Sequence, residues 1–192
     1  MIVKARNETI IEQGSKVKTL YRINSGVVVF ERRTFSFKKS IIGFYGAGTH
    51  IGLSAYLTDD KIQYTAKCIT AVSYEAVETI SPNVAVLELR EKISSSRRLY
   101  TESRTPGMVR FIHLLLDYKD KFGVLQRDGR YKIVGFPNHQ QLANALNAQR
   151  VTVSRYVADA REAGAIEGTR YEIKIDIDAL YEIMDSVILG RM

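Results

Sequence analysis

Apolar residues recur at two different periods along this chain, and the change falls near residue 80. From about Ile10 to Ile80 they come in short runs punctuated by glycine. Leu20, Tyr21 and Ile23 lead to a turn at Asn24, Ser25 and Gly26; Val27 to Phe30 follow, then a polar tip at Arg32 to Thr34, then a partly alternating run from Phe35 to Phe44. Gly43, Gly46, Gly48 and Gly52 bend the next stretch, and Tyr64 to Thr70 and Val72 to Glu78 read as a closing pair of strands. Strands of this length bury one face each, and an antiparallel β-roll or small barrel is the packing that satisfies them all.

Beyond residue 80 the period becomes helical. Ser81 and Pro82 are placed as the cap and first residue of a helix. Val86, Leu89, Ile93, Ser96, Tyr100 and Ser103 then alternate spacings of three and four, which predicts a seam for a second helix. Arg97, Arg98 and Arg104 flank that seam and are read as solvated charges. Thr105, Pro106 and Gly107 mark a break, with Thr105 as cap of the next helix and the break as a hinge between domains. In that helix Val109, Ile112, Leu115 and Leu116 share a face, and Tyr131 to Phe136 reads as a strand.

The stretch from Asn138 to Glu162 is the most informative. Leu142, Ala143 and Leu146 are the apolar spine of one short helix, and Val153, Tyr156, Val157 and Ala160 that of a second, with a corner at Asn147. Two short helices joined by a tight corner form a helix-turn-helix. Asn138 suits the first N-cap, since its side chain can accept from the free amides of the first turn. Ala143 lies where the helices cross, and Asn147 tolerates the positive φ that the corner demands. With the spine turned inward, Gln149, Arg150, Val151, Ser154 and Arg155 are left outside near the start of the second helix, the part that reaches base edges in a major groove. An arginine fork matches the two acceptors of guanine, Val151 offers contact to a thymine methyl, and Gln149, Thr152 and Ser154 can hydrogen-bond base or phosphate.

After this pair Gly164 is placed as a C-cap. Ala165 to Glu167 and Tyr171 to Ile175 read as a hairpin whose tip carries Gly168, Thr169 and Arg170, with Thr169 and Arg170 set to touch phosphate or minor groove. Asp176 or Asp178 then caps a last helix that packs back through Leu180, Ile183, Met184, Val187 and Ile188.

Composition narrows the chemistry. At 192 residues the chain can bury real cores as one large domain or two small ones. It shows no bilayer-spanning apolar run and no signal-peptide pattern, so a cytoplasmic location without membrane association is expected. Its single cysteine, Cys68, excludes an intrachain disulfide framework and multi-cysteine metal sites, and is placed as a buried strand residue. The formal charge is +7, but from Thr105 onward there are 12 lysines and arginines against 11 aspartates and glutamates. A DNA-binding role therefore rests on where particular arginines point. His50, His113 and His139 have no metal-ligand spacing, no metal or cofactor is expected, and no nucleophile–base constellation marks an enzyme.

A glycine-punctuated β-roll, a connecting helix and a C-terminal winged helix-turn-helix, in that order, resemble the cyclic-AMP receptor protein and fumarate–nitrate regulator (Crp/Fnr) superfamily of transcription factors. LYRINSGVVVF, FYGAGTHIGLSAYL and LANALNAQRVTVSRYV carry the resemblance, and RVTVSR looks most like the nitrogen-control branch; the cyclic-AMP receptor has an acidic residue where Val151 stands. It implies an α+β chain with an N-terminal antiparallel β-roll of cyclic-nucleotide-binding type (1–80), a connecting dimerisation helix (81–104) and a winged helix-turn-helix domain (105–192). It also implies a homodimer formed through Val86, Leu89, Ile93, Ser96 and Tyr100, bound to a pseudo-palindromic site on double-stranded DNA with half-sites about one helical turn apart, with RNA polymerase as a further partner. By the same resemblance Arg150 and Arg155 read bases, Val151 selects the neighbouring pair, and His139, Gln140 and Thr152 hold phosphates.

Three departures qualify the resemblance. In the family's nucleotide pocket a glutamate follows the glycine of the turn and binds the ribose; here Leu53 follows Gly52. An arginine that binds the cyclic phosphate precedes a Ser/Thr–Ala pair; here Tyr64 precedes Thr65 and Ala66. A cyclic phosphate would lack its charge partner, so a response to cyclic AMP is not expected. The segment joining β-roll and winged domain also looks shorter than in typical members. The effector is not read from the sequence. Alternatives are a metabolite held by Tyr56, Tyr64 and the connecting helix, haem ligated by one histidine, or a cupin-like metal enzyme, which would need several converging ligands where only His50 is available.

Overall fold

The computed structural model describes residues 1–17, 19–34, 38–101, 105–169 and 171–190, with the side chains of all but 94–101. Two compact units divide the chain, Met1–Tyr100 and Thr101–Met192.

The first unit is two antiparallel four-stranded sheets. One has the order β1 (Ile2–Lys4), β8 (Val72–Val77), β3 (Leu20–Ser25), β6 (His50–Ile51); the other β2 (Thr9–Ile11), β7 (Thr65–Cys68), β4 (Val28–Arg33), β5 (Lys39–Tyr45). Alternation explains the pairing: Ile23, Val28, Phe30, Tyr45, Ala66, Cys68 and Tyr74 turn inward into one core. The predicted pairing of residues 64–70 and 72–78 with each other does not form. Instead β7 pairs with β2 and β4, and β8 with β1 and β3, in separate sheets. Met1 to Asn7, which precedes the strands read from the sequence, supplies β1, with Ile2 opposite Tyr74. The glycine-rich bend holds a helix missed from the pattern, α1 (Leu53–Thr58), too short to show a helical period. Phe35 falls outside the described residues.

Helix α2 (Pro82–Thr101) follows, its first turn met by the Ser81 hydroxyl, which accepts from the Val84 amide at 3.4 Å. Ala85 is buried and Leu89 partly buried against Leu20 and Leu53. Leu89 thus packs in part against its own unit.

In the second unit α3 (Gly107–Phe122) supports the rest through buried Val109, Phe111, Ile112 and Leu115. Leu116, expected on that face, is only half-buried. Pro106, in extended conformation, is the N-cap and no side chain caps the helix, so Thr105 does not have the capping role expected of it. β9 (Val124–Leu125), unforeseen because it is two residues long, leads to β10 (Tyr131–Val134), then α4 (His139–Leu146), α5 (Arg150–Glu162), β11 (Ile166–Gly168), β12 (Glu172–Ile175) and α6 (Ile177–Ile188). The sheet has the order β11-β12-β10-β9, and β11 packs against α5, so the β11–β12 hairpin stands beside that helix as a wing. Asp176 caps α6 by accepting from the Ala179 amide, and Leu180 and Ile183 are buried. Ile188 does not pack back as expected, because it lies on the solvent side of the last turn, 62 % exposed.

Candidate nucleic-acid interface

Local chemistry fixes the two helices of the interface. Asn138 and Gln141 form a reciprocal capping box at the start of α4: the Asn138 side chain accepts from the Gln141 amide and the Gln141 side chain from the Asn138 amide, both at 2.9 Å. Asn147 ends α4 at φ 49°, ψ 45°, the left-handed conformation that turns the chain into α5. Leu142, Ala143, Leu146, Val153, Val157 and Ala160 close the crossing, all buried. The Arg110 guanidinium donates to the Leu146 carbonyl at 3.1 Å and so satisfies one of the free acceptors at the C-terminal end of α4.

The far end of α5 closes as a Schellman motif. The Ala165 amide donates to the Ala160 carbonyl and that of Gly164 to Arg161. Ala163 is the cap residue, and Gly164 at φ 73° stands one position beyond it, a shift of one from the predicted cap.

What this leaves outside matches part of the sequence reading closely. Gln149 is the N-cap of α5, and Arg150, Val151 and Arg155 are exposed at its front, Val151 to 77 %. Among the described residues neither guanidinium has an intramolecular hydrogen bond or ion pair, so both forks are available to an outside ligand. Thr152 and Ser154 are half-buried. The Ser154 hydroxyl is 2.8 Å from Nδ1 of His139, so two residues assigned separate roles touch each other across α4 and α5. Gln140 is exposed and hydrogen-bonds Asn144 one turn on.

Between α5 and the wing lies a groove of about 800 Å³ lined by His139, Arg150, Ser154, Arg161, Gly168 and Thr169 among others. Thr169 is exposed at the wing tip; Arg170 lies outside the described residues. Arg161 was missed from the sequence. It donates to the Gly168 carbonyl at 3.2 Å and ties the wing to the recognition helix, and its place six residues after Arg155 carried no signal by itself.

Of the predicted dimer residues, Val86 and Ile93 are exposed, seven positions apart on α2. The side chains of Ser96 and Tyr100, like those of Arg97 and Arg98, lie outside the described residues, as do Ser103 and Arg104.

In the β-roll the two departures from a nucleotide pocket are filled by core-like side chains. Leu53 is fully buried with Leu20 and Ala85. Tyr64 stacks on Phe30, ring centroids 4.1 Å apart, and its hydroxyl accepts from the buried Gly52 amide at 2.8 Å. Burial pushes the Tyr64 phenol above its ordinary pKa; the Gly52 hydrogen bond opposes the shift and the Glu88 carboxylate adds to it. His50 is engaged by Glu88 through both its backbone and ring nitrogens. Among the described residues no group of three or more His, Cys, Asp and Glu could hold a metal.

A β-roll followed by a winged helix-turn-helix with an exposed recognition helix defines the class of protein, a regulator that binds DNA. Residues 2–78 match the cyclic nucleotide-binding domain and residues 109–183 the Crp-like helix-turn-helix domain. The chain belongs to the Crp/Fnr family of transcriptional regulators. It is 27 % identical over 177 residues to the transcriptional regulator LdrP of Thermus thermophilus, covering 84 % of this chain and 85 % of that one. To the global nitrogen regulator of Nostoc it is 27 % identical over 186 residues, covering 88 % and 82 %. Among solved structures it is similar to TTHB099, a CRP-family regulator of Thermus thermophilus, with a TM-score of 0.77, 22 % identity and 95 % of each chain covered. FixK2 of Bradyrhizobium japonicum gives a TM-score of 0.77 at 15 % identity over 94 % of each chain.

Proposed function

We propose that this chain acts as a homodimer that reads a pseudo-palindromic DNA site through Arg150, Val151 and Arg155, without cyclic AMP as effector. The observation that carries this reading is the exposed, unpartnered pair of guanidinium groups at the front of α5, whose opposite face is fully packed. Gln149 stands beside them. His139, Gln140 and Thr169 border the groove where a phosphate backbone would run, Arg161 joins them, and half-buried Thr152 lies in the first turn of α5. Ser154 is better placed to orient His139 than to reach a base on its own, since its hydroxyl already has a partner. Exposed Val86 and Ile93 offer a stripe for the second copy, whose two-fold axis would set the half-site spacing. RNA polymerase is the further partner, and the cytoplasm the location that chromosomal DNA requires; among the described residues no helix is long and apolar enough to cross a membrane.

A metabolite held by Tyr56 and Tyr64 is less well supported, because Tyr64 is buried in the core with its hydroxyl engaged and Tyr56 lies 41 % exposed outside it. Selecting sites from random duplex DNA tests the reading. A two-fold symmetric consensus with half-sites about one turn apart is expected, at two chains per site, and Arg150→Ala should weaken it by about 1–3 kcal/mol while relaxing one position of each half-site. An unaltered consensus and affinity in that variant would remove Arg150 from the base-reading set.

A further inference from the structure

One cluster in the β-roll is used by none of the roles above. The Glu88 carboxylate, on α2, is held by three donors that converge from two elements. The His50 backbone amide donates to Oε1 at 2.8 Å, the His50 ring Nδ1 lies 2.8 Å from Oε2, and the Lys92 ammonium lies 2.5 Å from Oε1. Lys92 is fixed in turn by the His50 carbonyl at 2.8 Å and lies 5.7 and 5.8 Å from the ring centres of Phe30 and Tyr45. The side chains of His50, Glu88 and Lys92 are only 8 %, 11 % and 15 % exposed.

Such burial is unfavourable for ordinary helix packing. A helix needing only to lie on a sheet would use apolar residues, as Ala85 and Leu89 do one turn away, and a buried ion pair generally adds little over a hydrophobic substitute. Burial lowers the Lys92 pKa, and the Glu88 carboxylate works against that shift, so the Lys92 ammonium is held charged in part by its partner. A backbone N–H, an imidazole nitrogen and an ammonium around one carboxylate are also the donor set a protein uses to bind a free acid.

We propose that the β-roll contains a carboxylate-binding site, made by the His50 amide, the His50 ring and Lys92, and that the chain fills it with its own Glu88. Glu88 then acts as a tethered ligand. It docks α2 on the β-roll with no effector added, and a small free carboxylate takes its place when it is removed. The proposal stands whether or not Arg150 and Arg155 read bases, because its measurements do not involve DNA.

The test uses the full chain with Glu88→Ala and Glu88→Gln, comparing sodium acetate with sodium chloride at equal ionic strength. In Glu88→Ala the amides of His50 and of the first half of α2 should exchange at least ten-fold faster than in the parent. Acetate, but not chloride, should restore most of that protection and raise the melting temperature. Glu88→Gln keeps the shape and fills the site with its own amide, so it should show a smaller loss and no response to acetate. Should Glu88→Ala fold poorly, recovery of folded protein on refolding in acetate over chloride supports the site. Equal behaviour of Glu88→Ala in the two salts, or parental exchange rates in both variants, overturns it.

Discussion

Tyr64 and Gly52 are joined by a 2.8 Å hydrogen bond in which the glycine amide donates to the phenolic oxygen, at the start of a helix where the family's nucleotide pocket would lie. Because both residues are buried, Tyr64→Phe should leave that amide unsatisfied and destabilise the β-roll by about 1–3 kcal/mol in urea unfolding. The pH dependence has a definite sign. The Tyr64 phenol is raised above its ordinary 10.0, so the unfolded chain loses this proton first. The stabilisation is complete below that pH and declines as the pH rises above it. Tyr64→Phe should flatten that alkaline decline, and an unchanged slope would mean that Tyr64 is not its source.

The same substitution pattern predicts indifference to cyclic AMP. By the family resemblance, Leu53 and Tyr64 stand where ribose and phosphate ligands are expected, and both are core residues here. Millimolar cyclic AMP should leave both the melting temperature and the affinity for a selected DNA site unchanged. A rise of several degrees would show that another residue supplies the missing cation.

At the corner, Asn147 is one of three non-glycine residues with positive φ among those described. Asn147→Gly should be neutral or change stability by a few tenths of a kcal/mol, whereas Asn147→Val should cost about 1–2 kcal/mol or more, because a β-branched side chain is strained at φ 49°. Thermal unfolding of the two variants distinguishes corner strain from loss of the Asn side chain, since both variants lack it.

The winged unit was more legible in sequence than the β-roll, for physical reasons. Capping by Asn138, the left-handed Asn147 and the inward spines of α4 and α5 are local effects, set by residues within one or two turns. Strand partnership is not local. The run at residues 64–78 shows two strands, but which sheet each joins depends on Ile2, Thr9, Leu20 and Val28, far away in the chain. Helix α1 was hidden because six residues cannot display a 3.6-residue period. At the interface the exposed arginines could be read from the helix period. The Arg161–Gly168 and His139–Ser154 contacts could not, because they depend on how far the wing and α4 lie from α5.

Arg161 supports a prediction of a different kind from the base readers. Its donation to the Gly168 carbonyl fixes the wing, so Arg161→Ala should lower affinity similarly for every DNA sequence and leave the selected consensus intact. Arg161→Lys should recover little, because an ammonium lacks the planar fork that reaches past the helix end. A changed consensus in Arg161→Ala would place this residue among the base readers instead.

Val151 gives the most direct test of which face of α5 meets the bases. It is 77 % exposed at the second position of the helix, and an apolar side chain there offers nothing to stability, so its chemistry is free to serve recognition. A valine can touch a thymine methyl but cannot accept a hydrogen bond, while a glutamate at the same place can accept from the exocyclic amine of cytosine. Val151→Glu should therefore fold as the parent does, with a melting temperature within a degree or two, yet select a site altered at one base pair of each half-site, with cytosine gained. The altered pair should be discriminated by about 1–3 kcal/mol, read from competition binding at fixed salt. If the variant instead loses affinity evenly for all sequences, the added charge is acting against phosphates alone, and the front of α5 does not lie in the major groove as proposed.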